Sequence, residues 1–243
     1  MMRLRRLVSR AFNNRSPTLA ERFYKHSRPD IDKWEHYITK YSELFLGLPP
    51  KVALLEIGVY RGGSLRLWSE YFSSDSVIVG VDKNPHCKTY EKANIKVAIG
   101  DQGDQRFLSD LSAQFGGFDI VIDDGSHLVS DQIASFQALI RSTRCAYVIE
   151  DTHAAYWQAP PSKADLSNFL IQQFDTLHEW FVAAGTSESF DDAKWINQHQ
   201  TEISDLRRRL VSIELLDSMM IFRLGTNPPP KRLRTKIVGV AKT

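Results

Sequence analysis

Leu55-Glu56-Ile57-Gly58-Val59-Tyr60-Arg61-Gly62-Gly63-Ser64 (LEIGVYRGGS, residues 55–64) runs from an apolar segment through glycines into a stretch with helical spacing. An apolar run over 52–58 followed by a helix over 64–72 is the first half of a β-α-β unit. The rest of the chain repeats the alternation. Apolar runs at 77–82, 95–101, 118–124 and 146–151 are separated by helical patterns at 105–115 and 130–141, and a long helix over 165–184 follows. Runs this continuously apolar are buried on both faces, which implies parallel strands covered by helices with right-handed crossovers. The runs 211–216 and 219–224 have almost nothing between them and read as an antiparallel hairpin at the sheet edge. Seven runs therefore predict an α/β, Rossmann-like, doubly wound and mostly parallel seven-stranded sheet with a C-terminal antiparallel hairpin. Residues 16–48 precede it as a polar helix with Trp34, Tyr37, Tyr41, Leu44 and Phe45 on its apolar side, stopped by Pro49 and Pro50. Segments 158–163 (QAPPSK) and 185–200 read as loops able to cover a site.

Composition narrows the class. The 243 residues carry 31 basic and 29 acidic side chains, for a net charge of +2. Ten of the basic residues lie at the ends. Arg3, Arg5, Arg6, Arg10 and Arg15 open the chain, and Lys231, Arg232, Arg234, Lys236 and Lys242 close it, with no acid in either segment. The body between keeps 21 basic residues against 29 acids, a charge of −8. An acidic body argues against a nucleic-acid binder. Leu4, Leu7, Val8, Ala11 and Phe12 recur at helical spacing among the first arginines. That segment reads as a peripheral membrane contact, a targeting peptide or a packed terminus. No apolar run reaches membrane-spanning length, and no secretory signal follows the first arginines. Cys87 and Cys145 form no C-x-x-C pair and read as reduced thiols of a cytoplasmic protein.

The glycine turn fails the dinucleotide fingerprint, because Glu56 and Arg61 stand where G-x-G-x-x-G needs its outer glycines. Gly58 lets the backbone approach a ligand closely. Glu56 would repel a pyrophosphate but suits an ammonium, hence a ligand with an amino-acid end. Ser64 opens the following helix. Asp82 ends the second strand, where an acid accepts ribose hydroxyls. Asp101 and Gln102 end the third, where a carboxylate or an amide can hold an adenine edge.

The fourth strand ends FDIVIDDGSH (118–127) and the fifth YVIEDTH (147–153). Asp123, Asp124, Glu150 and Asp151 gather there with His127 and His153. If the strands are neighbours, their backbones stand about 4.8 Å apart. Converging acids repel unless a positive charge lies between them. A hard divalent cation answers this, and oxygen ligands favour magnesium. Adjacent strand residues face opposite sides, so Asp123 is assigned to the cofactor and Asp124 to the metal. Glu150 and Asp151 both serve only if the chain has left strand geometry there. His127 is placed to take a proton from a substrate hydroxyl, since histidine titrates near neutrality.

The turn, Asp82 and the terminal hairpin resemble the class I S-adenosylmethionine-dependent methyltransferases over roughly residues 50–225. IDDGSH followed by IEDTHAAYW resembles the magnesium-dependent macrolide sugar O-methyltransferases, and is similar to the cephalosporin hydroxylase family of the same fold. The resemblance implies S-adenosylmethionine and Mg²⁺ as cofactors, Asp124, Glu150 and Asp151 as metal ligands, and His127 as general base. DKWEHYITKY (32–41) resembles the leading helix whose aromatics line the cofactor site, which makes Tyr37 and Tyr41 candidates. It implies a methyltransferase domain over 49–226, between a basic segment with a leading helix (1–48) and a basic tail (227–243). The macrolide enzymes carry a large additional N-terminal domain, so neither their macrolide specificity nor their oligomeric state carries over. The expected activity is O-methylation of a small-molecule or glycan hydroxyl. Catechol-type methylation, hydroxylase-type oxidation and a non-catalytic interaction module remain open, as does homo-oligomer formation.

Overall fold

The computed structural model describes residues 17–25, 31–184 and 193–230. The arginine-rich start and the basic tail from 231 onward lie outside these residues. The leading region forms α1 (Leu19–Lys25) and α2 (Glu35–Leu46). Then follow β1 (Ala53–Ile57), α3 (Gly63–Tyr71), β2 (Val77–Asp82), β3 (Ile95–Ile99), α4 (Gln105–Phe115), β4 (Phe118–Asp123), α5 (Val129–Leu139) and β5 (Thr143–Ile149). α6 (Ser162–Ala184), α7 (Ala193–His199), β6 (Leu210–Leu216) and β7 (Met219–Leu224) complete the chain.

The seven strands form one sheet in the order β3-β2-β1-β4-β5-β7-β6. β1 to β5 are parallel, and β7 runs antiparallel to both β5 and β6. The expected hairpin is present, with its second strand lodged inside the sheet and β6 at the edge. The order reverses between β1 and β4, so their C-terminal ends diverge into a crevice, the usual ligand position in such sheets.

Strand periodicity sorts the core into two layers. Leu54, Ile78, Val97, Ile120, Ile122, Ala146 and Val148 pack toward Tyr41, Phe45 and Trp68 of α2 and α3. Leu55, Val79, Val81, Val121, Tyr147 and Ile149 pack toward Leu108, Phe136 and Phe169 of α4, α5 and α6. Each large apolar side chain so buried contributes roughly 1.5–3 kcal/mol.

Three local expectations need correction. The leading region is not one helix over 16–48 but two, with residues 31–34 non-helical ahead of the second. Trp34 is 55% exposed, because it precedes α2 rather than joining its apolar stripe. Residues 193–199 are helical, not loop: Trp195 and His199, one turn apart, stack at 4.1 Å.

Candidate active site

The turn after β1 is built on glycine. Gly58 has φ +96°, and a β-carbon there would lie 2.0 Å from the carbonyl oxygen of Asp124. The close approach is pinned from both sides. Gly58 N–H donates to Val81 O at 2.8 Å, and Asp124 N–H donates to Ile57 O at 2.9 Å. Asp82 fixes the rest of the turn. One of its carboxylate oxygens accepts from Val59 N–H (3.0 Å) and Tyr60 N–H (3.1 Å), the other from Asn84 N–H (2.9 Å). Burial alone would raise the Asp82 pKa. The three backbone donors outweigh it and hold the carboxyl below its usual range.

This turn forms one wall of a cavity of about 750 Å³ at the crevice. Tyr37, Gly58, Ser64, Asp82, Asp124, His127, Glu150 and Asp151 all line it. Eight of the candidate residues, scattered over more than a hundred positions, thus meet in one space. Four others do not line it. Glu56 is fully buried behind the wall, and accepts from Ser64 Oγ (2.7 Å) and Trp68 Nε1 (3.0 Å). Gln102 is buried beside the β4 end, donates to Asp123 Oδ1 at 2.7 Å and accepts from Ser126 N–H. Asp101 is exposed and accepts from Gly103 N–H within its own loop.

Asp123 departs from its assignment. It shares the parity of Val121, so its side chain enters the α4–α6 layer instead of the crevice. There it accepts hydrogen bonds from Ser135 Oγ and Gln102 Nε2, with Tyr147 Oη at 3.5 Å. Burial raises its pKa to about 7; nearby Asp124 adds to the rise and the hydrogen bonds oppose it. Asp123 ties the β4 end to α5, and only Asp124 faces the cavity.

β4 and β5 are neighbours, so their terminal acids do converge. β5 ends at Ile149, and Asp151 adopts φ 54°, ψ 37°, outside strand geometry. The break gives Glu150 and Asp151 different partners on the same cavity. Glu150, of the same parity as Val148, turns under α2 and accepts from Tyr41 Oη. Burial, then the charge of Asp124, raises its pKa to about 8, against the pull of Lys33. Asp151 lies nearer the mouth, where its Oδ1 accepts from Tyr37 Oη (3.0 Å) and Trp34 Nε1 (3.2 Å).

His127 also has a positive φ, 58°. Its backbone is held by Gln158, which donates from Nε2 to His127 O (2.6 Å) and accepts from Val129 N–H (3.2 Å). The ring turns Nε2 toward Asp151 Oδ2 at 3.6 Å, while Nδ1 is buried without a hydrogen-bond partner. One ligand atom each from Asp124, His127 and Asp151 lies within 4.8 Å of the others. His153, unassigned by sequence, bonds Ser218 Oγ and sits between the exposed rings of Trp34 and Trp157, at 6.2 and 4.5 Å.

Sequence reading missed Lys33 entirely. Its ammonium lies 2.7 Å from Asp124 Oδ2, 2.8 Å from Glu150 Oε1 and 3.3 Å from Glu56 Oε1, with the side chain 1% exposed. Burial disfavours its charge, but the surrounding carboxylates prevail and hold its pKa well above normal. The acids at the ends of three strands are thus arranged around a cation. That arrangement, hard oxygen donors converging on a positive centre, is chemically suited to magnesium. Gln158 was missed as well, because an amide in a proline-containing loop carries no periodic signal.

The fold and the site now meet known proteins. Demethylmacrocin O-methyltransferase of Streptomyces fradiae is 39% identical over 167 residues, covering 61% of this chain and 42% of the relative. Mycinamicin VI 2''-O-methyltransferase of Micromonospora griseorubida is 35% identical over 162 residues, covering 63% and 40%. A solved methyltransferase of the mycinamicin biosynthetic pathway, in complex with Mg and SAH, superposes with a TM-score of 0.70 at 26% identity. That match covers 87% of this chain and 55% of the solved one. The chain is related to the mycinamicin-type O-methyltransferases. It has their class I methyltransferase fold, and it spans less than half the length of the two curated relatives. No protein-family model matches it. Among the described residues, no helix is long and apolar enough to cross a membrane.

Proposed function

We propose that the chain is an S-adenosylmethionine-dependent, magnesium-assisted O-methyltransferase acting on a hydroxyl of a sugar or a glycosylated natural product. One observation carries the reading. A single cavity joins the glycine turn and Asp82 to the group Asp124, His127 and Asp151. A donor bound along the turn would therefore meet an acceptor held among the acids, and alignment of two reactants is a large part of catalysis.

In this reading Gly58 admits the donor's backbone-facing edge, Ser64 and Tyr37 line its amino-acid end, and Asp82 accepts its ribose hydroxyls. Asp82 can do so because its carboxyl stays ionised and is already fixed by three N–H groups. Asp124, Glu150 and Asp151 would hold magnesium, which when bound supplies positive charge beside a developing alkoxide. His127 would take the hydroxyl proton at Nε2, leaving the oxygen's electron pair for the methyl group that a bound sulfonium donor would supply, with the departing pair kept on the donor's sulfur. Asp151 faces that nitrogen and compensates the charge the ring gains. General-base help of this kind is worth about 10²–10⁴-fold. The exposed indoles of Trp34 and Trp157 flank the mouth and offer flat apolar faces to a ring-shaped acceptor.

Calorimetry with S-adenosylhomocysteine tests the cofactor assignment, with micromolar binding expected; absence of heat would remove it. His127→Ala is expected to lose turnover by at least about 100-fold while keeping cofactor affinity. Retained turnover would remove the base assignment.

A further inference from the structure

The end of the crevice already contains a cation, and the protein supplies it. Lys33 comes from the short segment between α1 and α2, and its ammonium contacts oxygens of Asp124, Glu150 and Glu56. Buried lysines are rare unless paired, and this one is paired three times. Three acidic side chains share this one ammonium, so the inner group holds more acids than its single internal base can pair.

Asp124 and Glu150 are also the residues read above as magnesium ligands, and the inference rests on that reading. A magnesium ion needs its oxygens at about 2.0–2.1 Å. An ammonium takes them at about 2.7–2.9 Å, as Lys33 does here. Glu150 Oε1 is committed to Lys33 and to Tyr41 at once. Asp124 Oδ2 is committed to Lys33. Two positive ions drawn to the same pair of buried carboxylates repel strongly where water cannot screen them.

We propose that Lys33 is a tethered occupant of the divalent-cation position, and that metal loading expels its side chain from the acid cluster. Ile31, Asp32, Lys33 and Trp34 line the cavity, so expulsion would also move one of its walls. Without metal, the lysine neutralises part of a group that would otherwise repel itself. The affinity for metal is then set by a competition built into the chain.

Two experiments test this. Mn²⁺ binding is measured by electron paramagnetic resonance on wild type and on Lys33→Met, which keeps the apolar stem and removes the charge. The variant is expected to bind at least tenfold more tightly. In wild type, Lys33 acetylation by an amine-reactive ester at mildly alkaline pH is followed by peptide mass spectrometry. Protection without metal and several-fold faster labelling at saturating Mg²⁺ are expected. This second measurement does not depend on the variant folding. Equal or weaker Mn²⁺ binding by Lys33→Met, or a lysine still protected when metal is bound, would overturn the competition while leaving the metal reading intact. No Mn²⁺ binding by either protein would overturn both.

Discussion

Gly58→Ala puts the turn at the head of the crevice to a quantitative test. The added methyl would lie 2.0 Å from Asp124 O, 2.7 Å from its carbonyl carbon and 3.1 Å from Gly125 Cα. A carbon–oxygen contact relaxes only at about 3.3 Å, so β1 and β4 must separate by about an ångström. They cannot do so freely. Asp124 N–H to Ile57 O ties the β4 end to β1, Gly58 N–H to Val81 O ties the turn to β2 on its other side, and one of these must break. Losing a buried hydrogen bond costs about 1–3 kcal/mol. Placing alanine at φ +96° costs roughly 1–2 kcal/mol more. The sum of about 2–5 kcal/mol corresponds to a fall in Tm of about 4–20 °C for a chain of this size. Gly116→Ala is the control. Its φ is +70°, but nothing lies within 4 Å of the added carbon, so it should show the backbone cost alone. Urea unfolding followed by circular dichroism reads both variants. Equal destabilisation of the two, or a loss below about 1 kcal/mol for Gly58→Ala, would refute the close-approach argument.

Two further perturbations follow from the same geometry. Asp82 has a depressed pKa in the folded state, so its stabilisation is present above the ordinary carboxylate range and is lost as pH falls through the folded value. Asp82→Asn should therefore lower the urea midpoint at pH 7 and converge on wild type in acid; a gap independent of pH would contradict this. Gln158→Ala releases the backbone of His127 without touching the cavity wall, and should lower kcat by about 10- to 100-fold with S-adenosylhomocysteine affinity kept. An unchanged kcat, or an equal loss of cofactor affinity, would show that Gln158 does not position the base.

Much of the fold was legible because it depends on local signals. Seven short apolar runs, helices between them and a two-strand ending specify a doubly wound sheet almost by exclusion. The order β3-β2-β1-β4-β5-β7-β6 was decided by the structure, because right-handed crossovers are compatible with more than one doubly wound order. Most of the site was legible for a related reason. Residues at C-terminal strand ends are delivered to one edge of a parallel sheet, so Gly58, Asp82, Asp124 and Glu150 were bound to approach one another. The error over Asp123 was one of direction. Alternation says that Asp123 and Asp124 part ways, but which one faces inward depends on the layer that Val121 joins. The short helix at 193–199 carries a stacked ring pair one turn apart, and the polar composition of that segment concealed it.

The sequence by itself determined the alternation of strands and helices, the glycine at a turn that tolerates no side chain, and the gathering of acids at two strand ends. These are written in the order and period of residue types along the chain. Only the tertiary structure decided that Lys33 lies among those acids, that Gln158 grips the backbone of His127, and that Asp123 serves the interior. Lys33 is 91 residues from Asp124 and 117 from Glu150. Contacts at such separations leave no period in a sequence, because they are made by how layers pack and not by how a segment coils.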